Sequence, residues 1–375
     1  MVEKRQIHET KGSFYLYLPK KWITDNEIDK TKSISLIDYF EDQLILKKDT
    51  EYNAPDDNRE VVIPLDKINK DKNKLKNYIT ASYIIGANKI TVKSESEIIK
   101  PQIREDVAEQ VRKLSGFEII FENDNVIEAK EMSKFLDINS TIQTLFSRTQ
   151  NMFKQVQNLI TDYAKDPDIL RTELKIIIKT DDDIDRFKHM VDRLSHLILK
   201  DPYLIAMQKL DTIKILHDTQ IASHIERIAD HIVELTRYLR SNVSELEFLK
   251  EEASNEVDDR EESNDDTDDD DYEEGSSTLE KPETRFSKAI DFYTKAIDFF
   301  TQLSNFYIKT ELKYLNALDL YKEIHIQEKI IQKELKKEKF NFVFYHIGRI
   351  FSYCENIAEI LINQSAYELY NPKKD

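Results

Sequence analysis

Thr172-Glu-Leu-Lys-Ile-Ile-Ile-Lys-Thr-Asp181-Asp-Asp-Ile-Asp185 places two carboxylates four residues apart. It recurs without a gap as Thr310-Glu-Leu-Lys-Tyr-Leu-Asn-Ala-Leu-Asp319-Leu-Tyr-Lys-Glu323. Between the copies, Ile225-Glu226-Arg227-Ile228-Ala229-Asp230-His231 is again acidic at i and i+4. On a helix that spacing sets both side chains one turn apart on one face. The duplication predicts a repeated helical unit, and two such helices side by side can surround a cation with oxygen ligands. Asp181 and Asp185 offer one pair, Glu226 and Asp230 a second, and Asp319 and Glu323 the second repeat's version of the first. Such oxygen donors suit divalent or trivalent ions: iron, zinc, manganese or magnesium. A merely wet acidic face is the competing reading. Helical projection sets Glu226, Asp230 and Glu234 opposite the stripe of Ile225, Ile228, Ile232 and Leu235, which predicts exposure.

Outward from these motifs, apolar residues recur at helical spacing from Asn139 onward. They predict helices over residues 142–163, 169–199 and 204–249, then over 285–307, 309–337 and 340–368. Residues 251–284 between them are acidic and poor in apolar side chains, which predicts a disordered loop. The chain thus reads as two three-helix repeats, 139–250 and 285–370. Upstream, residues 1–50 alternate as short strands, as in Phe14-Tyr-Leu-Tyr-Leu18, Ser33-Ile-Ser-Leu-Ile37 and Gln43-Leu-Ile-Leu46. So small a β unit must dimerise or lean on the rest of the chain. Residues 59–131 read as a compact βαβαβ-like domain, its helices stopped by Gly86 and Gly116 and its end a hairpin around Asn123-Asp124-Asn125. The fold class expected is α+β, mostly α.

The 375 residues carry a net charge of −17. Residues 251–274 hold fifteen acids against one base, Arg260, so everything else is close to neutral and compatible with a nucleic-acid partner. Five glycines, none spaced to cradle phosphates, argue against P-loop and Rossmann chemistry. Cys354 alone excludes an internal disulfide framework and a cysteine-based zinc site, and lying among Ile350, Phe351 and Ile357 it reads as core. No apolar run is long enough to span a bilayer, and Met1-Val-Glu-Lys-Arg5 does not begin a secretory signal. A cytoplasmic protein with no membrane insertion is expected. No Ser/His/Asp or Cys/His set points to nucleophilic catalysis.

The Ile225–His231 run, preceded by Asp181-x-x-x-Asp185, resembles the acidic signature of PhoU, the phosphate-uptake regulator family. Lys11-Gly-Ser-Phe-Tyr-Leu-Tyr-Leu-Pro-Lys-Lys-Trp22 resembles a SpoVT/AbrB-type segment, a swapped-hairpin DNA-binding dimer. That order, with an α/β insert between, is similar to archaeal PhoU-like regulators over essentially the whole chain. The resemblance implies two three-helix repeats with metal clusters on Glu/Asp-x-x-x-Asp motifs. It also implies a non-enzymatic role in phosphate uptake and homeostasis, exercised by transcriptional regulation. Implied partners are DNA, phosphate transporter or sensor components, and copies of the chain in a homodimer or higher even oligomer. DNA contact is expected from Arg5, Lys11, Ser13, Lys20 and Lys21, whose positive surface a dimer would double. A module that only dimerises is the alternative. In the second repeat Gly348-Arg349-Ile350-Phe351-Ser352 stands where Glu-Arg-Ile-x-Asp is expected, dropping both carboxylates, although Glu355 and Glu359 keep a pair nearby. In the first 50 residues, Lys30-Thr31-Lys32 replaces the usual Gly-Asp. Two other classes compete: a metal-dependent phosphate-ester hydrolase, and a helical adaptor without metal.

Overall fold

The computed structural model describes residues 4–30, 32–40, 43–48, 59–68, 72–133, 137–161, 167–207, 211–242, 282–308, 314–336 and 341–370. The expected acidic loop falls outside them up to residue 281. The fold is α+β and mostly α. The chain divides into two compact units, residues 1–58 with 198–211, and residues 59–197 with 212–375.

The first unit is built from two hairpins and two short helices. Strands β1 (Ile7–Thr10) and β2 (Ser13–Leu16) are joined by Lys11 and Gly12, whose φ angles are 53° and 79°. Positive φ at both central residues is what a two-residue turn needs to match the twist of its strands. Helix α1 (Lys20–Asp25) starts after Pro19 and ends where the Asn26 side chain donates to the Trp22 carbonyl at 2.8 Å. Strands β3 (Ile34–Phe40) and β4 (Gln43–Lys48) form the second antiparallel pair. Every residue of β1 and β2 is exposed, Ile7 and Phe14 by 70% and 73%. That much open apolar surface on a two-stranded ribbon gives it little stability of its own.

In the second unit, a mixed four-stranded sheet comes first. It holds β5 (Glu60–Pro64), β6 (Lys89–Lys93), β7 (Phe117–Glu122) and β8 (Val126–Glu131), in the order β5-β6-β8-β7. Only β5 and β6 run parallel. The last strand of the hairpin, β8, takes the place beside β6 and leaves β7 at the edge. Ile127 and Ala129 of β8 are buried, whereas Ile120 and Phe121 of β7 lie open. Helices α2 (Lys72–Ile84) and α3 (Pro101–Arg112) cover the sheet with Leu75, Ile79, Val107 and Val111. Gly86 ends α2 at φ +94°, with the Ala87 amide bonded to the Ser82 carbonyl, a left-handed cap that a side chain would strain.

The helical part follows as α4 (Ile138–Thr161), α5 (Pro167–Lys200), α6 (Pro202–Met207), α7 (Thr212–Ser241), α8 (Pro282–Ile308), α9 (Tyr314–Glu334) and α10 (Asn341–Tyr370). The third helix was expected to run from Leu204. Instead Pro202 closes α5, because a residue before proline is pushed out of the helical region and proline lacks the needed N–H. Helix α6 is then a separate turn that belongs to the first unit and lies against β3. In the second unit, Phe300 packs against both Phe146 and Phe153 with ring centroids 5.4 Å apart in each pair and no solvent exposure, fixing α4 to α8. Helix α7 packs on α4 and α10, and α10 on α9 and α8. No helix among the described residues is long and apolar enough to cross a membrane.

Candidate metal centre

Helix α5 presents Asp181-Asp182-Asp183-Ile184-Asp185 with Ile184 turned into the core. The four acids then divide by partner. Asp182 pairs with Lys113 at 2.5 Å, and Asp183 with Arg148 at 2.9 Å and Arg186 at 3.2 Å. Asp181 and Asp185, on the other edge, have no ion pair among the described residues, and Oδ1 of Asp181 is buried without a hydrogen-bond partner. Helix α7 supplies Glu226 and Asp230. Both contact Arg227, at 3.5 and 3.3 Å, so four carboxylates share one directly paired guanidinium.

The carboxylates of the set repel one another across the two helices. Burial, then the charge of Asp185, then that of Asp230, push the Asp181 carboxyl up to about 7. Burial and then Asp230 push Glu226 up to about 7 as well. Asp185 and Asp230 are also raised, chiefly by burial. The exposure expected for Glu226 and Asp230 is not what the structure has. They are half-buried, because α7 is buried on most of its circumference, from Ile215 and Ile221 through Ala222 and Ala229 to Leu239. Desolvated carboxylates repelling one another are costly unless protonated or bound to a cation. The donor set, oxygen only and from two helices, fits a hard ion.

The second repeat is arranged differently. Asp319 and Glu323 stand exposed on α9, Asp319 4.0 Å from Lys322. Among the described residues, the group of three whose ligand atoms all lie within 4.8 Å of one another is His325, Glu328 and Glu355. His325 Nδ1 lies 2.8 Å from Glu355 Oε1, and the Ser352 hydroxyl donates to Glu328. The first-repeat carboxylates are spread more widely, so one ion reaching three of them requires side-chain rotation. His325 and Glu328 escaped the sequence reading. Their only signal was a His-x-x-Glu spacing on the face of α9 that meets α10. His231 does not turn to the carboxylates; its Nδ1 lies 2.8 Å from Nδ1 of His346. Cys354 is fully buried and its thiol is pushed up by burial, a core residue.

The residues expected to touch DNA lie in the first unit. Arg5 precedes β1, Lys11 occupies the turn, Ser13 opens β2, and Lys20 and Lys21 open α1; all five are exposed.

No curated protein matches the chain. Residues 142–239, from the first turns of α4 to the last turn of α7, match the family model described as PhoU domain, and over that stretch, which holds Asp181, Asp185, Glu226 and Asp230, the chain is PhoU-like.

Proposed function

We propose that this protein is a non-enzymatic regulator of phosphate homeostasis whose helical bundle binds metal through Asp181, Asp185, Glu226 and Asp230. The observation that supports the reading is the half-buried set of four carboxylates sharing one paired guanidinium, within the PhoU-like stretch. A divalent or trivalent ion there would neutralise the set and tie α5 to α7. His325, Glu328 and Glu355 offer a second, mixed donor set. Partners of the bundle would be phosphate transporter or sensor components. The protein as purified is expected to carry metal by elemental analysis. The double variant Asp185→Asn/Glu226→Gln should lose most of what the first repeat holds and release phosphate uptake from control. Unchanged metal content in that variant would remove the four carboxylates from the reading.

The β module is the proposed route to transcription. Its exposed Ile7, Phe14 and Tyr17 favour pairing with a second copy, and its lysines then give the dimer a doubled basic face. Gel shifts with the full chain at low salt should detect DNA binding that weakens steeply as salt rises. Lys20→Glu/Lys21→Glu should abolish it; equal binding by that variant would leave the module a dimeriser only.

A further inference from the structure

A cavity of about 460 Å³ opens between α7 and α10, lined among others by Asp181, Asp230, His231, His346, Arg349 and Tyr353. Its volume falls in the range that small ligands occupy. The basic residues around it are not equivalent. Arg227 is engaged by Glu226 and Asp230, and Arg237 by Glu234. Arg349 has no ion pair among the described residues; its Nη2 donates to the Tyr353 hydroxyl at 2.8 Å and its guanidinium sits 4.8 Å from that ring's centre. The difference follows from the sequence. Where Arg227 is flanked by Glu226 and Asp230, Arg349 is flanked by Gly348 and Ser352. The second repeat has kept the cation and dropped both of its counter-charges. Beside it, His231 and His346 share a hydrogen bond between their Nδ1 atoms. In that pair one ring accepts at Nδ1 and so carries its own proton on Nε2, a further N–H donor among the lining residues.

We propose that this cavity binds a phosphoryl-bearing anion, with Arg349 as its anchor and the histidine pair as a neutral donor beside it. A guanidinium presents two parallel N–H groups that match two oxygens of a phosphoryl group, leaving the remaining oxygens directed elsewhere. Asp181 and Asp230 also line the cavity and belong to the proposed metal centre. Resting on that reading, the cation held there turns a repelling part of the lining into an attracting one, so anion binding requires the metal. The site would make the bundle sense phosphate only when loaded.

The test is isothermal titration of the full-length, metal-replete protein with inorganic phosphate and, separately, adenosine monophosphate, with metal content measured on each sample. Saturable binding of either is expected; phosphate alone marks the free ion as ligand, and the nucleotide alone marks an esterified phosphoryl group. Arg349→Gln should weaken binding at least about tenfold, with metal content unchanged. Arg349→Lys should retain part of the affinity, and Arg240→Gln, in the last turn of α7, all of it. Equal affinity in Arg349→Gln, or no binding by metal-replete protein, overturns the anion site while leaving the metal centre standing. Protein that holds no metal and binds neither probe overturns both.

Discussion

Arg193→Ala is expected to lower the unfolding free energy by about 3–5 kcal/mol, the cost of breaking a buried ion pair by removing one partner. Arg193 is 3% exposed. Its Nη1 donates to the carbonyls of Tyr83 and Ala87, at 2.6 and 2.8 Å, in the last turn of α2 and just beyond it, where the helix dipole is negative. Nη2 lies 2.9 Å from Glu131 at an angle poor for a hydrogen bond, so that contact is ionic. The guanidinium also lies over the rings of Tyr83 and Phe117, 4.8 and 5.2 Å from their centres. Truncation would strand a carboxylate and the Ala87 carbonyl at once, while the Tyr83 carbonyl would keep only the Gly86 amide. The measurement is a denaturant titration, where the midpoint should fall with an unchanged slope. A loss under about 1 kcal/mol would show that water replaces the guanidinium at little cost.

The carboxylate centre makes the second large prediction. Asp181 and Glu226, raised to about 7, keep protons in the native state that the unfolded chain releases near pH 4. Without metal, their contribution to stability therefore falls as pH rises from about 4 to about 7 and is level above. Because both groups are only half-buried and screened by solvent, the loss is on the order of 1–3 kcal/mol for the pair. His189, His224, His231 and His346 titrate below their ordinary value, mainly through burial, and push stability the opposite way over an overlapping window. The informative quantity is thus a difference. In chelator, Asp181→Asn/Glu226→Gln should melt progressively higher than the parent as pH climbs from 4 to 7. Added metal should reverse the order, since only the parent keeps the first-repeat site, whose filling adds about 2.7 kcal/mol at a hundredfold excess over Kd. A melting difference independent of pH would show the two carboxylates to be ordinary solvated acids.

Helical periodicity made most of the bundle readable, and the i, i+4 acids marked Asp181, Asp185, Glu226 and Asp230. Four things were not accessible to it. A helical wheel drawn from one apolar stripe could not show that α7 is packed on several sides, so Glu226 and Asp230 read as wet. A gapless repeat carries no information on how antiparallel helices register. In the second repeat Glu328, nine residues beyond Asp319, meets Ser352, while Asp319 and Glu323 stay in water. That displacement is two and a half turns at 3.6 residues per turn. The apolar pattern also ran through Leu204 and Ile205, hiding the break that Pro202 imposes. In the sheet, the alternation of β8 could name a strand but not its neighbour.

Arg193 and Asp185 share a helix, eight residues or about 12 Å apart, and Lys113 grips the same rod at Asp182. The small sheet domain thereby acts as a splint that sets the rotational phase of α5. One residue inserted between positions 185 and 193 would swing the acidic edge by about 100°. The spacing from splint to acids, more than the acids themselves, is what a redesign of this bundle would have to conserve.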